Sequence, residues 1–344
     1  MLEEIEQEIK KYFPEKWSEE DVLFWIGEKR FEIDVDSLNS NLNSPVRDFI
    51  LRGGKRWRPV LFLSSLNLFG LDWKEYLDVA AALEIAHNGT LIVDDIEDRA
   101  ELRRGKLTSY KIFGIDVAVN AGNTMYFLPL RILGERRYKS GDEKLKILKI
   151  YNEEMINVHF GQAIDIKWHN DPIEVDVEKY LEMCRLKTGA LVRMAVRMAC
   201  ILSGKSDEFE THFKGFAELA GVAFQIKDDA LEFGKNQKLF GKILGNDIME
   251  GKMSLPVILA LKRIPDKDKV KLLKILKKHT KNRFLINKAM SIIRKSGAVE
   301  ESLKYAEDLI DEAWQDIEPY FPKDKERELN EFKEITYSLV KRSK

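Results

Sequence analysis

The chain has 344 residues, of which 44% are apolar and 33% are charged, and its formal net charge is −1. This apolar fraction suffices for a substantial core. The near-zero charge provides no global field to attract nucleic acid or an anionic membrane, and no basic face interleaved with aromatic residues stands out. The charged, amphipathic first residues are not a signal peptide, and no apolar run of about 18 residues occurs, so we expect a cytoplasmic protein without stable membrane insertion.

Helical periodicity dominates the chain, in keeping with only 9 Pro and 20 Gly. In chain order it predicts helices over 19–32, 56–68, 72–98, 115–134, 142–168, 177–203, 207–233, 254–263, 267–278, 282–295, 297–317 and 324–341. The segment 37–45 is predicted as a loop that supplies N-cap residues for the next helix. No long alternating strand pattern and no Ser/Gly-rich linker interrupts this series. The sequence therefore predicts one all-α domain over residues 1–344, a large helical bundle around a central cavity.

The cysteines indicate the redox environment. Cys184 and Cys200 show neither metal-binding nor redox spacing. A disulfide framework is therefore not expected, and a reducing cytosol fits this usage.

The first chemical motif is an acidic cluster at the end of the predicted helix 72–98. Asp94, Asp95 and Asp98 follow a long run of apolar and small residues. A helix C-terminus already carries partial negative charge, so carboxylates there are unfavourable unless a cation offsets them. Because Asp94 and Asp98 are four residues apart, they share one helix face, where carboxylate oxygens can hold a hard divalent cation.

A second acidic cluster repeats this arrangement at the end of the predicted helix 207–233. It contains Asp228, Asp229 and Glu232, again with the first and last residues four apart. One such cluster alone is equally consistent with a solvated helix end. Two clusters, each ending an apolar helix and each followed by basic residues, favour a site where Mg²⁺ ions hold a diphosphate. Arg103 and Arg104 would neutralise the remaining phosphate charge.

Six short motifs, in one consistent order, resemble those of the trans-type isoprenyl diphosphate synthases, the polyprenyl synthetase family that includes farnesyl and geranylgeranyl diphosphate synthases. They are GGKRWRP (53–59), DDIED followed by RRGK (94–106), GQAID (161–165), KTGAL (187–191), FQIKDD (224–229) and GKILGNDIMEGKMSLP (241–256). The resemblance spans about residues 44–261. It implies a homodimeric helical bundle that performs Mg²⁺-dependent head-to-tail condensation of isopentenyl diphosphate with an allylic diphosphate.

The resemblance also implies a role for individual residues. Metal ions and the allylic diphosphate would lie on Asp94, Asp95, Asp98 and Asp228, supported by Asp229 and Glu232, while Arg103, Lys187 and Lys242 would contact the same diphosphate. Isopentenyl diphosphate would bind Lys55, Arg58, His87 and Arg104, and Gly54 would allow close backbone approach. Thr188 and Gln225 would line the reacting carbons, and Lys252 is a further substrate-binding candidate. Cations aimed at the leaving group would stabilise its charge in the transition state, and a dry cavity would protect the carbocation.

Two departures from the family pattern and several simpler interpretations accompany these roles. Glu232 stands where Asp is usual, and Leu107 stands where Pro commonly follows the RRGK motif. Lys55 and Arg58 taken alone resemble an ordinary basic helix start, and a histidine such as His87 on an apolar face is more often a satisfied core residue than a ligand.

Small residues one and two turns before Asp94 bear on product length. Gly89, Thr90 and Ala86 would leave room for a growing chain, so we expect geranylgeranyl diphosphate, with farnesyl diphosphate as intermediate or co-product. Tyr126 or Phe127 could instead close the floor of the cavity. The alternatives are a longer-chain polyprenyl diphosphate synthase, a terpene cyclase or head-to-head condensing enzyme, and a non-catalytic regulatory subunit of a heteromeric prenyl synthase.

Overall fold

The computed structural model describes residues 1–234, 245–321 and 325–340. Over these ranges the regular secondary structure is helical apart from one hairpin of two-residue strands, so the all-α prediction is confirmed. Its contacts divide the chain into two compact units, Met1–Asn152 with Arg197–Lys205 and Glu153–Val196 with Ser206–Lys344. The expectation of one domain over the whole chain stays a prediction. Among the described helices, none is long and apolar enough to cross a bilayer.

The first unit contains helices α1 to α8 and the short hairpin. The helices are α1 (Leu2–Tyr12), α2 (Glu19–Ile26), α3 (Val35–Leu38), α4 (Ser44–Ile50), α5 (Trp57–Phe69), α6 (Leu77–Glu97), α7 (Ser109–Phe113) and α8 (Ile115–Glu135), and the strands are β1 (Leu102–Arg103) and β2 (Lys106–Leu107). The unit also includes the start of α9 (Gly141–Asn170) and the end of α11 (Ala190–Leu202).

Glycines hold α6 and α8 close together in this unit. A Cβ atom on Gly89 would lie 2.7 Å from the Cβ of Met125 and 3.0 Å from the carbonyl oxygen of Gly122. A Cβ on Gly122 would in turn lie 2.8 Å from Cγ2 of Val93. The expectation that Gly89 leaves room for a growing chain is therefore wrong, because the α8 backbone fills that space.

The second unit is built around α12. It contains the remainder of α9 and α11 together with α10 (Val177–Cys184), α12 (Asp207–Glu232), α13 (Asn246–Glu250), α14 (Leu255–Arg263), α15 (Asp266–Leu276), α16 (Arg283–Lys295), α17 (Ala298–Ile317) and α18 (Glu326–Val340). Phe216 on α12 contacts Trp314 on α17 and Phe332 on α18, with ring centroids 5.4 and 5.6 Å apart. These buried rings fix α12, whose last turn carries the second acidic cluster.

Several predicted boundaries differ from the structure for identifiable reasons. The predicted loop 37–45 is instead α3, a π-helical segment Asn39–Asn43 and the start of α4. Asn39 donates a hydrogen bond to the carbonyl oxygen of Trp17, so tertiary contacts override the loop propensity of this Asn/Ser-rich stretch. The predicted helix 19–32 ends at Ile26, and the predicted helix 177–203 is interrupted by a π-helical segment, Arg185–Gly189.

Candidate active site

The first acidic cluster lies in the last turn of α6 and is paired with an arginine. Arg103 donates from Nε to Oδ1 of Asp95 at 2.7 Å, and its Nη2 lies 3.4 Å from Oδ2 of Asp94. Burial raises the pKa of Asp95 to about 6, although the charge of Arg103 opposes the shift. The buried Oδ2 of Asp95 has no hydrogen-bond partner among the described residues. An unsatisfied carboxylate oxygen in a partly desolvated cluster fits a cation as its missing partner.

The arginines after this cluster lie on a two-residue hairpin turn. Strand β1 pairs antiparallel with β2, and the turn residues Arg104 and Gly105 have φ angles of 54° and 76°. Positive φ at both central residues is the conformation that connects two strands most tightly. The turn places the Arg104 guanidinium against Gly54, where a Cβ would lie 3.1 Å from Nη2 of Arg104. Gly54 therefore makes room for the arginine.

Arg104 belongs to a cationic group at the start of α5 and the middle of α6. Nη1 of Arg58 lies 3.1 Å from Nε2 of His87. Burial lowers the pKa of His87 well below its ordinary value, and the nearby arginines lower it further. The ring is therefore neutral near pH 7, and because Nε2 accepts from Arg58, we assign the ring proton to Nδ1.

This cationic group lacks an adequate counter-ion. Burial lowers the pKa of Arg58 and of Arg104 to about 10. The negative charge of Glu84 opposes the shift at both arginines. Nδ1 of His87 and Nε of Arg58 are buried without a hydrogen-bond partner among the described residues. Buried donors without an acceptor are costly unless a ligand such as an anion supplies one. The cationic group therefore suits a phosphate-bearing ligand, and Lys55, which precedes Arg56 in the chain, is exposed.

Arg56 is a positioning residue that the sequence analysis missed. It adopts φ 47°, and it donates from Nε to Glu6 at 2.6 Å and from Nη1 to Glu84 at 2.7 Å. Its third partner is the carbonyl oxygen of Ile50. These contacts hold the turn that precedes α5 in place and so fix the backbone position of Arg58. No local signal could reveal this, because the partners lie 50 and 28 residues away in the chain.

In the second unit, Lys187 and Thr188 lie in the π-helical segment between α10 and α11. A Cβ on Gly161 of α9 would lie 2.4 Å from the backbone nitrogen of Lys187, so this glycine admits the wider turn. Nζ of Lys187 donates to Oδ2 of Asp165 at 2.6 Å. These contacts explain the GQAID motif, since Gly161 leaves space for the Lys187 backbone and Asp165 orients the Lys187 side chain. Single π-turns inside helices occur often at functional sites.

Thr188 begins a chain of hydrogen bonds that ends at the second acidic cluster. Its hydroxyl donates to Oε1 of Gln225 at 2.6 Å, and Nε2 of Gln225 donates to Oδ1 of Asp229 at 2.7 Å. The buried Tyr180 donates its hydroxyl to Oδ2 of Asp229 at 2.7 Å. The Asp229 carboxylate thus fixes the Gln225 amide, because the flipped amide would set its oxygen against the carboxylate. Tyr180 is the second positioning residue missed from sequence.

The three acidic residues of the second cluster differ in burial and in hydrogen bonding. Asp228 is exposed, and burial raises the pKa of its neighbour Asp229 to about 6. Oε1 of Glu232 accepts from the backbone N–H of Asn246 at 2.8 Å, so this glutamate anchors the start of α13. Lys252 lies 2.6 Å from Glu250. Lys242 lies outside the described residues.

Asp98 is the C-cap residue of α6, and its backbone N–H donates to the carbonyl oxygen of Asp94 at 2.8 Å. Within the described ranges, no three Asp, Glu, His or Cys side chains already converge as a preformed metal site. Any metal ion would therefore need further ligands, such as phosphate oxygens.

An all-α fold in which two helix ends carry acidic clusters, and in which Arg58 and His87 keep buried donors without an acceptor among the described residues, suits an enzyme that binds diphosphates. The sequence profile of the polyprenyl synthetase family matches residues 39–293. The chain belongs to this family and is an isoprenyl diphosphate synthase, a prenyltransferase of isoprenoid biosynthesis. The family resemblance predicted from the motifs is thus confirmed.

Individual relatives support this assignment. The chain is 35% identical over 258 residues to a short chain isoprenyl diphosphate synthase from Methanocaldococcus jannaschii, covering 75% of this chain and 78% of that protein. It is 36% identical over 255 residues to a geranylfarnesyl diphosphate synthase from Aeropyrum pernix, covering 73% and 79%. The crystal structure of geranylgeranyl pyrophosphate synthetase from Pyrococcus horikoshii superposes with a TM-score of 0.84 at 27% identity, covering 99% of this chain and 96% of that one.

Proposed function

We propose that this enzyme condenses isopentenyl diphosphate head to tail with allylic diphosphates and releases geranylgeranyl diphosphate, with farnesyl diphosphate as intermediate or co-product. The observation that carries the proposal is the presence of two different anion-binding chemistries in the first unit. One is the acidic cluster with Arg103, and the other is the cationic group of Arg58, His87 and Arg104. A terpene cyclase binds a single diphosphate and has no use for the second group.

The acidic residues suit Mg²⁺ in their donor chemistry. The proposed Mg²⁺ ligands are Asp94, Asp95, Asp98 and Asp228, supported by Asp229 and Glu232. The buried Oδ2 of Asp95, which has no hydrogen-bond partner among the described residues, would gain one from the metal. Bound Mg²⁺ would neutralise the diphosphate as it departs. Lys187 pairs with Asp165 and Arg103 with Asp95, and each cation would exchange its carboxylate for diphosphate oxygens.

Thr188 and Gln225 would stabilise the allylic carbocation. The hydroxyl hydrogen of Thr188 is bound to Gln225, so the hydroxyl lone pairs point away from that bond. Lone pairs presented to a developing cation lower the barrier to carbon–oxygen cleavage. The double bond of isopentenyl diphosphate then attacks the cation, and loss of a proton, with the departed diphosphate as base, completes a product five carbons longer.

Product length would depend on Tyr126 rather than Gly89. Tyr126 on α8 packs 3.3 Å from the Cβ position of Gly89, and Asp94 and Glu97 add to the burial that raises its pKa. Phe127 is 67% exposed and so does not close an interior floor within this chain. A relative named geranylgeranyl pyrophosphate synthase, from Geoglobus acetivorans and 34% identical over 68% of this chain, supports the twenty-carbon product.

The exposed side of α8 supports a homodimer. Ile115, Val119 and Phe127 recur at helical spacing on this side, and all three are exposed. A stripe of large apolar residues on one helix is typical of a subunit interface. Phe127→Glu would therefore convert a dimer to monomers in analytical ultracentrifugation. Two buried cysteines that form no disulfide support a cytoplasmic location.

The decisive experiment incubates the pure protein with Mg²⁺, isopentenyl diphosphate and each allylic primer in turn, then measures product chain length. We expect twenty-carbon product, and severe loss of turnover in Asp94→Ala and Asp228→Ala with the fold retained. Turnover without isopentenyl diphosphate would identify a cyclase, products beyond twenty carbons a longer-chain synthase, and inactivity of the single chain a regulatory subunit.

Tyr126→Ala tests the product-length proposal. Removing the ring should shift the product distribution to longer chains. Tyr138→Ala is the matched control, since the Tyr138 hydroxyl donates to Leu133 near the other end of α8. Equal product distributions in both variants would show that Tyr126 does not limit chain growth.

A further inference from the structure

The hairpin formed by α15 and α16 carries a concentrated positive charge. Residues 266–295 contain eleven Lys and Arg against two Asp, a formal charge of +9 in a chain whose whole formal charge is −1. The exposed sides of both helices form a surface that we call the basic face, made of Lys267, Val270, Lys271, Lys274, Phe284 and Lys288. On α15 its members follow helical spacing, so they lie on one side of the helix.

Few carboxylates offset this charge. Lys271 lies 4.0 Å from Asp268, at the outer limit of an ion pair, whereas Lys267 and Lys274 have no ion-pair partner among the described residues. Lys271 also lies within hydrogen-bonding reach of Lys288 on α16, and this contact lowers the pKa of Lys288. Two lysines held together at a surface repel each other, which is unfavourable unless an anion lies over them.

Two large apolar side chains stand among these lysines. Val270 is 67% exposed and Phe284 is 72% exposed, and Nζ of Lys288 lies 5.7 Å from the centroid of the Phe284 ring. Apolar residues surrounded by lysines are the composition of helices that lie in a membrane interface, with the apolar side chains in the acyl boundary and the ammonium groups among anionic headgroups. Duplex DNA is better matched by arginine forks, which the basic face lacks.

We propose that the basic face docks this enzyme onto an anionic lipid bilayer surface. The hairpin packs on α13, the helix that follows the second acidic cluster, since a Cβ on Gly245 would lie 2.3 Å from Ile286 and one on Gly251 would lie 3.2 Å from the Leu276 carbonyl oxygen. Docking would thus adjoin this end of the second unit. The benefit to the enzyme rests on the proposed function, because a prenyl diphosphate product is an amphiphile that enters bilayers, but binding itself needs no substrate.

Flotation with vesicles, in the absence of substrates, tests the proposal. We expect binding to vesicles of equimolar phosphatidylcholine and phosphatidylglycerol, weakened by added salt, and no binding to pure phosphatidylcholine. Lys267→Glu/Lys271→Glu/Lys274→Glu should weaken binding about 100-fold, as expected for the loss of three surface lysines. The control Lys10→Glu/Lys16→Glu/Lys304→Glu changes the net charge equally on exposed lysines elsewhere and should bind like the unmodified enzyme.

The apolar members of the basic face have their own test. Val270→Ser/Phe284→Ser should weaken binding about tenfold, while Phe31→Ser/Ile173→Ser, which removes two exposed apolar residues elsewhere, should not. Phe284→Trp should show a blue-shifted emission when phosphatidylglycerol vesicles are added.

Three results would overturn the proposal. They are equal binding by the basic-face triple variant and its control, equal binding to neutral and anionic vesicles, and retention of duplex DNA by the basic face without retention of vesicles. Since prenyltransferase activity is assayed separately with soluble substrates, loss of docking with full turnover would leave the proposed function intact.

Discussion

Tyr180→Phe isolates the hydrogen-bond chain that reaches Thr188. The substitution removes one hydroxyl, which donates a hydrogen bond to Oδ2 of Asp229 at 2.7 Å. It leaves Gln225 bonded to Oδ1 of the same carboxylate. The carboxylate can then rotate, and with it the amide that holds the Thr188 hydroxyl. We therefore expect the substitution to act on the reacting carbons without removing any group that touches a diphosphate.

The size of the effect follows from burial. Tyr180 is fully buried and Asp229 is half-buried, so the lost bond is a charge-assisted one that water cannot fully replace. Leaving such an acceptor unsatisfied costs about 1–3 kcal/mol. If most of this appears in the ionisation barrier, kcat falls about tenfold to 100-fold. The KM for each diphosphate and the half-saturating Mg²⁺ concentration should stay unchanged.

Steady-state kinetics with a double-mutant cycle provide the assay. Thr188→Val keeps the shape of the side chain but removes its hydroxyl, so in this background Tyr180→Phe should have little further effect on kcat. Tyr337→Phe is the matched control, because the Tyr337 hydroxyl donates to Oδ1 of Asp311 at 3.0 Å within the same unit. It should lower stability and leave kcat unchanged.

An equal loss of kcat from Tyr180→Phe with and without the Thr188 hydroxyl would refute the coupling between the two residues. An unchanged kcat in Tyr180→Phe, or a loss no larger than in Tyr337→Phe, would refute it as well. A raised Mg²⁺ requirement would instead show that Tyr180 acts through metal binding by Asp229.

Further predictions follow from the site and its packing. Because burial raises the pKa of Asp95 and of Asp229 to about 6, above the ordinary 3.8, kcat/KM should fall as pH drops below about 6. Between pH 3.8 and about 6 the folded, ligand-free chain binds protons on Asp95 and Asp229 that the unfolded chain does not. The stability that these two groups contribute is therefore present below about pH 4 and lost as pH rises through about 6. Denaturant unfolding of Asp229→Asn and of the unmodified chain at several pH values would measure this contribution. Gly89→Ala should cost about 1–3 kcal/mol by forcing α6 and α8 apart, measured by thermal unfolding, whereas Gly134→Ala, with open space at its Cβ, should not destabilise. Inorganic diphosphate without Mg²⁺ should raise the melting temperature, and Arg58→Ala should abolish that rise.

Residue spacing within single helices predicted the acidic parts of the site. The two acidic clusters were recognisable because helical spacing brings residues four apart onto one face, and α6 and α12 end where the periodicity ends. The hairpin turn was not recognisable, since Arg104 adopts positive φ without the Asn-Gly or Asp-Gly pair that usually marks such turns. The ion pairs of Arg56 with Glu6 and Glu84 join distant parts of the chain, and no spacing rule reaches them.

Four charged side chains are wholly or partly buried before any ligand binds, and their burial costs stability. Arg58 and Arg104 are held with lowered pKa values, and Asp95 and Asp229 with raised ones, so burial disfavours the charged form of each. Replacing Arg58 or Arg104 with a neutral residue of similar size should therefore stabilise the ligand-free fold or leave it unchanged. A bound diphosphate reverses that order for Arg58 and Arg104, because it supplies the negative charge that favours their charged forms. Under the proposed function, the fold would gain its largest stabilisation when both diphosphates are bound, which is the state in which the allylic carbon–oxygen bond would break.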